Sequence, residues 1–99
     1  MKNFRTYQLA ISFNREAAKL KLPAYLKDQL QRAAASIALN LAEGAGRFGR
    51  KDQRRFFNIA LASLRECQAV LDLHSVENSP LKELADTLGA HLYKLMQAC

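Results

Sequence analysis

Apolar residues recur along this chain at spacings of three and four, the period of an α-helix with one buried side. Over residues 3–19 the repeat is Thr6, Ala10, Phe13, Ala17 and Leu20, with Phe4, Tyr7, Ile11 and Ala18 on an adjoining stripe. Leu22-Pro23 interrupts it, and Pro23 suits the first turn of a second helix. That helix is predicted over residues 24–43. Leu26, Leu30, Ala33, Ile37, Asn40 and Gly44 alternate four and three as in a bundle seam, while Ala34, Ala38 and Ala42 form an edge of small residues. The pattern predicts a stop at Gly44 and Gly46.

A third helix is predicted over residues 51–74, with two neighbouring stripes. One is Phe57, Ala60, Leu64, Cys67, Leu71 and His74, and the other is Phe56, Ile59, Ser63, Glu66, Val70 and Leu73. Two stripes mean a wide buried face that touches at least two neighbours. Asn78-Ser79-Pro80 then reads as a turn, with Ser79 as N-cap and Pro80 at the first helical position. The last helix repeats Leu81, Leu84, Leu88, Leu92 and Leu95, and carries a weakening Gly89. No strand-like alternation is sustained. Four helices with short connections predict an all-α, antiparallel up-and-down four-helix bundle, one domain over residues 1–99.

Length and composition agree with that expectation. Ninety-nine residues with 49% apolar content can bury a modest core, and 4 Gly with 2 Pro leave little material for long loops. Cys67 and Cys99 have no metal-ligand spacing. No secretory apolar stretch follows Met1-Lys2, and no apolar run is long enough to span a bilayer. A cytoplasmic protein with reduced thiols and no membrane partner is expected.

Charge changes the picture. The chain carries a formal +6, with a pI near 9.7. Five basic residues, Arg47, Arg50, Lys51, Arg54 and Arg55, face the single acid Asp52 within residues 47–55, so this run holds four of the six net charges. The spacing puts all five on one side if the turn before the third helix is itself helical. Cations at a helix start oppose the macrodipole, whereas the free backbone N–H groups there attract anions. Together they suit phosphate. A merely solvated charged face is the competing reading. Phe48, inside the run, either stacks on a base or folds back onto the bundle.

A second set of residues is polar where a core is expected. Asn40 falls on the seam, where it fixes register or presents an amide to a ligand. Ser36, Ser63 and Glu66 are its expected partners. Glu43 ends the second helix against the macrodipole, and Arg47 or Arg50 is the expected counter-ion. Ser36, Asn40, Glu43, Ser63 and Glu66 are therefore read as a structural polar core. Catalytic constellations are not visible. Gly44-x-Gly46 lacks the lysine and strand of a phosphate loop. Glu43, Glu66, His74 and His91 lack the Glu-x-x-His pair of carboxylate-bridged metal bundles. No catalytic residue, metal or cofactor is expected.

Leu22-Pro23, Asp28-Gln29-Leu30, Arg32-Ala33, Ser36-Ile37, Asn40-Leu41-Ala42-Glu43-Gly44, Gly46-Arg47, Arg55-Phe56 and Ala62-Ser63-Leu64-Arg65-Glu66 follow one another in order. This resembles the small four-helix-bundle proteins encoded in intervening sequences of bacterial 23S ribosomal RNA genes. The accessory variability proteins of diversity-generating retroelements look like relatives. The resemblance covers nearly the whole chain. It implies homopentamers, with bundles arranged as a barrel around a central channel. In the retroelement relatives it implies a basic surface that binds nucleic acid and a reverse transcriptase. The short chain without a basic tail looks nearer the ribosomal branch. The leading expectation is a non-enzymatic homo-oligomer that binds RNA or DNA backbone through Arg47, Arg50, Lys51, Arg54 and Arg55. The alternative is a scaffold that docks an acidic protein or a reverse transcriptase.

Overall fold

The computed structural model describes residues 4–74 and 79–99. Four helices follow in order: α1 Arg5–Lys19, α2 Ala24–Ala45, α3 Arg50–Leu73 and α4 Pro80–Ala98. Each packs on its neighbours in sequence, and α1 closes the ring against α4. The diagonal pairs, α1 with α3 and α2 with α4, do not meet among the described residues. The result is the antiparallel up-and-down four-helix bundle that the periodicity predicts, about as long as α3 itself at 1.5 Å per residue.

The predicted apolar stripes supply the core. Phe13, Leu30, Ile37, Leu41, Leu64, Cys67, Leu71, Leu88 and Leu92 are fully enclosed. Burying each Leu or Phe is worth about 1.5–3 kcal/mol, which is the main force holding the ring closed. Thr6 is the one buried polar side chain among the described residues, on the stripe where the pattern put it.

Helix boundaries differ at instructive places. Asn3, the predicted start of the first helix, and Asn78, in the predicted turn, lie outside the described residues. Pro23 is the N-cap of α2 and not its first helical residue. Its carbonyl accepts from the backbone N–H of Leu26 and Lys27 at 3.0 and 2.9 Å. Ser79 caps α4 as expected, accepting from the Leu81 N–H at 3.2 Å, with Pro80 next.

Gly44 does not stop α2. It lies within the helix, which runs on to Ala45, and Gly46 closes it in ordinary right-handed geometry. The glycine at 44 is required by packing. A Cβ there would sit 2.6 Å from Phe57 Cε1 and 3.1 Å from Phe56 Cβ. This contact belongs to the most extensive helix pairing of the bundle, α2 on α3.

The α2 seam also shifts. Leu41, fully enclosed, takes the core position that a strict heptad gives to Asn40, which is only half-buried. A straight helix with 3.6 residues per turn drifts away from a 3.5-residue stripe, and the drift carries Asn40 to the edge. The second α3 stripe is likewise only partly enclosed. Val70 is buried, Phe56 and Ser63 are half-buried, and Ile59, Glu66 and Leu73 are exposed.

Candidate nucleic-acid interface

The α2–α3 connection is short because Gly46 ends one helix and Gly49 caps the next. Residues 46–49 are not helical. The condition for a single cationic face over residues 47–55 is therefore not met, and the five basic residues divide into two groups.

Arg47 and Arg55 are engaged by the protein. The Arg47 guanidinium donates to Glu43 Oε2 at 3.0 Å and lies 3.7 Å from Asp52 Oδ2. Arg55 reaches the other Asp52 oxygen at 3.2 Å. Both guanidinium groups stack on Phe56, 4.7 and 4.5 Å from the ring centroid. Guanidinium faces are drawn to the negative face of an aromatic ring, and partial desolvation strengthens that attraction. Phe56 and Asp52 thus clamp the loop to the first turns of α3. Charge counting assigned Asp52 only a neutralising role and Phe56 only a place on a stripe. The sequence signal was Asp52-x-x-Arg55-Phe56, which puts an acid, a cation and a ring on adjoining positions of one helical turn.

Arg50, Lys51 and Arg54 make no ion pair and no side-chain hydrogen bond among the described residues. They surround the start of α3, whose N-cap Gly49 offers no side-chain acceptor to the first backbone N–H groups. A Cβ at Gly49 would meet nothing within 4 Å, so this helix start is open to solvent. A shallow depression runs from Gly49, Lys51 and Arg54 past Asn58 to Met96 of α4. Phe48 is wholly exposed at the tip of the loop and does not fold back onto the bundle.

The polar residues of the predicted core form a seam on the outer edge between α2 and α3. Ser36 and Ser63 share a hydrogen bond of 2.8 Å across the two helices. Asn40 Nδ2 donates to the Ser36 carbonyl at 2.8 Å and to Ser36 Oγ at 3.0 Å. Glu66 does not join them, and its carboxylate accepts from Gln29 Nε2 at 2.9 Å. Glu43 is exposed and pairs with Arg47, one of its two expected counter-ions. None of the five is fully enclosed, and every buried side-chain polar atom among the described residues has a partner.

Glu43, Glu66, His74 and His91 are not brought together. Glu43 belongs to the loop end, Glu66 pairs with Gln29, His74 caps the far end of α3, and His91 Nδ1 faces the Thr87 carbonyl at 2.9 Å. Among the described residues no cluster of three or more His, Cys, Asp or Glu is placed to hold a metal ion. Cys67 is enclosed between α3 and α2, with its Sγ 4.0 Å from the Leu30 carbonyl. Burial, reinforced by the Glu66 charge, pushes its thiol up to about 12 from 9.0. No helix among the described residues is long and apolar enough to cross a membrane.

Fold and surface together define a small antiparallel four-helix bundle with a run of basic residues at the start of α3. The family model of the 23S rRNA-intervening sequence protein matches residues 2–98. The chain belongs to that family. No curated protein and no solved structure matches it.

Proposed function

We propose that this chain is a non-enzymatic, homo-oligomeric, cytoplasmic bundle that binds nucleic-acid backbone through the start of α3. The observation that carries the reading is the group of Arg50, Lys51 and Arg54, three cations without a protein counter-ion around an uncapped helix start. Phosphates there gain both the cations and the free N–H groups. Arg47 and Arg55 add positive potential while staying clamped to Asp52 and Phe56.

Binding of this kind is electrostatic and weak in sequence preference. With three phosphate contacts, the log–log dependence of affinity on salt has a slope of about −2 to −3. Titration of a structured RNA at two salt concentrations tests it. No binding at low salt overturns the reading, as does an Arg50/Lys51/Arg54→Ala variant that binds like the parent. Recovery of an acidic protein, and no nucleic acid, from nuclease-treated pull-downs would replace it with the scaffold reading.

Self-association is supported by a different surface. Tyr25, Leu39, Ile59 and Leu73 are exposed, two on each of the helices bridged by the Ser36–Ser63 contact. Helical spacing from those serines puts Leu39 and Ile59 beside the polar seam. Such apolar positions are material for contact with a second copy. Light scattering that returns a monomer at micromolar concentration overturns this part, including the pentamer implied by the resemblance. Two free cysteines, Cys67 and Cys99, suit the reducing compartment of the proposal.

A further inference from the structure

Phe48 is the most exposed large apolar side chain of the described protein, at 104% of its reference area. Leaving a Phe in water forgoes about 1.5–3 kcal/mol of burial. An alternative was at hand. An apolar depression lined by Phe4, Ala45, Gly46 and Leu95 opens at the same end of the bundle, and Phe48 does not enter it. The residues on either side explain its projection. Arg47 is held by Glu43, Asp52 and Phe56, and Gly49 is committed as the cap of α3. Phe48 is carried outward between two fixed points. Its next charged neighbours are Arg50 and Lys51, neither with a protein partner.

We infer that Phe48 is a stacking platform for an unpaired nucleobase, so that the site takes single-stranded or looped nucleic acid in preference to a continuous duplex. The inference rests on the electrostatic reading above and specifies its substrate class. A free aromatic face beside cations matches the two components of single-strand recognition, base stacking and backbone attraction. In a duplex the base faces are covered by their neighbours, and Phe48 then has nothing to stack on. An anionic membrane offers charge but no aromatic face, and Phe48 would serve there only as an apolar wedge.

The test compares a 12-nucleotide single strand with its blunt duplex at low salt. It uses the full chain, Phe48→Ala, Phe48→Tyr and the Arg50/Lys51/Arg54→Ala variant. Phe48 has no packing role, so its variants remain folded. The expected result is a loss of single-strand affinity of about tenfold or more in Phe48→Ala. Duplex affinity should stay within about twofold, and Phe48→Tyr should restore single-strand binding. A 2-aminopurine in the strand should be quenched by the parent and not by Phe48→Ala. Equal losses on strand and duplex overturn the inference. So does an unchanged Phe48→Ala whose binding still depends on Arg50, Lys51 and Arg54, a result that leaves the electrostatic reading standing. Phe48-dependent binding to phosphatidylserine vesicles without strand preference overturns it in favour of a membrane. Absence of all oligonucleotide binding removes both readings.

Discussion

Gly44 on α2 and Phe57 on α3 touch where no methyl group fits. A Cβ at Gly44 would stand 2.6 and 2.9 Å from Cε1 and Cδ1 of the buried Phe57 ring. Gly44→Ala gains about 1 kcal/mol of helix propensity and loses about 1–3 kcal/mol to overpacking. A net destabilisation of up to about 2 kcal/mol is expected in urea unfolding. Phe57→Leu should relieve the clash, so the double variant should show a favourable coupling with Gly44→Ala. Gly89→Ala provides the contrast. Its Cβ would meet Leu64 Cδ2 at an ordinary 3.4 Å, so the propensity gain of up to about 1 kcal/mol should appear as added stability.

These two glycines also show what could be read from sequence. Both sit in helical patterns, and only the partner across the interface separates a close approach from a tolerated weak point. Local signals served where local physics decides. The apolar period located all four helices, and Ser79-Pro80 fixed the start of the last. Asn40 failed because a seven-residue template was laid on a straight helix, and the half-residue drift was enough to exchange it with Leu41. The basic run was legible as charge. Its division was legible only in part: the sequence names Arg47 among the expected partners of Glu43, while its approach to Asp52 and its stacking on Phe56 depend on the non-helical path of residues 46–49.

That division predicts different costs for similar residues. Arg47 makes two ion pairs, at 3.0 and 3.7 Å, and a stacking contact with Phe56. The pairs are solvent-exposed and screened, so Arg47→Ala should cost only about 0.5–1.5 kcal/mol, most of it from the ring contact. Arg50→Ala removes no protein contact and should stay within about 0.5 kcal/mol of the parent. Denaturant midpoints report stability, and titration with RNA reports binding. Arg50→Ala should reduce binding without changing the midpoint.

The starts of α3 and α4 make a matched pair. Ser79 Oγ accepts from the Leu81 N–H, whereas Gly49 offers α3 only its backbone carbonyl, which accepts from the Gln53 N–H at 2.9 Å. Ser79→Ala should cost about 1 kcal/mol and lower the melting temperature by about 4–8 °C, with Ser79→Asp close to the parent. Gly49→Asp should do the reverse for α3. There is open space for its Cβ, a carboxylate there complements the macrodipole, and a gain of a few tenths of a kcal/mol is expected. The same carboxylate would occupy the position proposed for phosphate. Gly49→Asp should therefore melt no lower than the parent and bind RNA more weakly. Equal or tighter binding would count against α3 as the anion seat.

Cys67 gives the bundle a pH dependence with a definite sign. Enclosure, with the Glu66 charge adding to it, raises its thiol to about 12 from 9.0 in the open chain. Below pH 9 both states hold the proton, and this group leaves stability independent of pH. Above pH 9 the unfolded chain releases the proton and the folded chain keeps it, so the unfolded state gains. Stability should fall by up to about 1.4 kcal/mol per pH unit as pH rises from 9 toward 12. Parent and Cys67→Ala share every other ionisable group, so the measurement is a difference between them. Between pH 8 and pH 10, urea unfolding should show the parent losing about 1.4 kcal/mol more stability than Cys67→Ala, an average of about half a proton, whatever the variant loses in packing. The same burial should leave Cys67 unreactive toward iodoacetamide in the folded protein, while the half-buried Cys99 is alkylated. Folded-state alkylation of both thiols at equal rates, or identical pH slopes for the two proteins, would contradict the enclosure of Cys67 between α2 and α3.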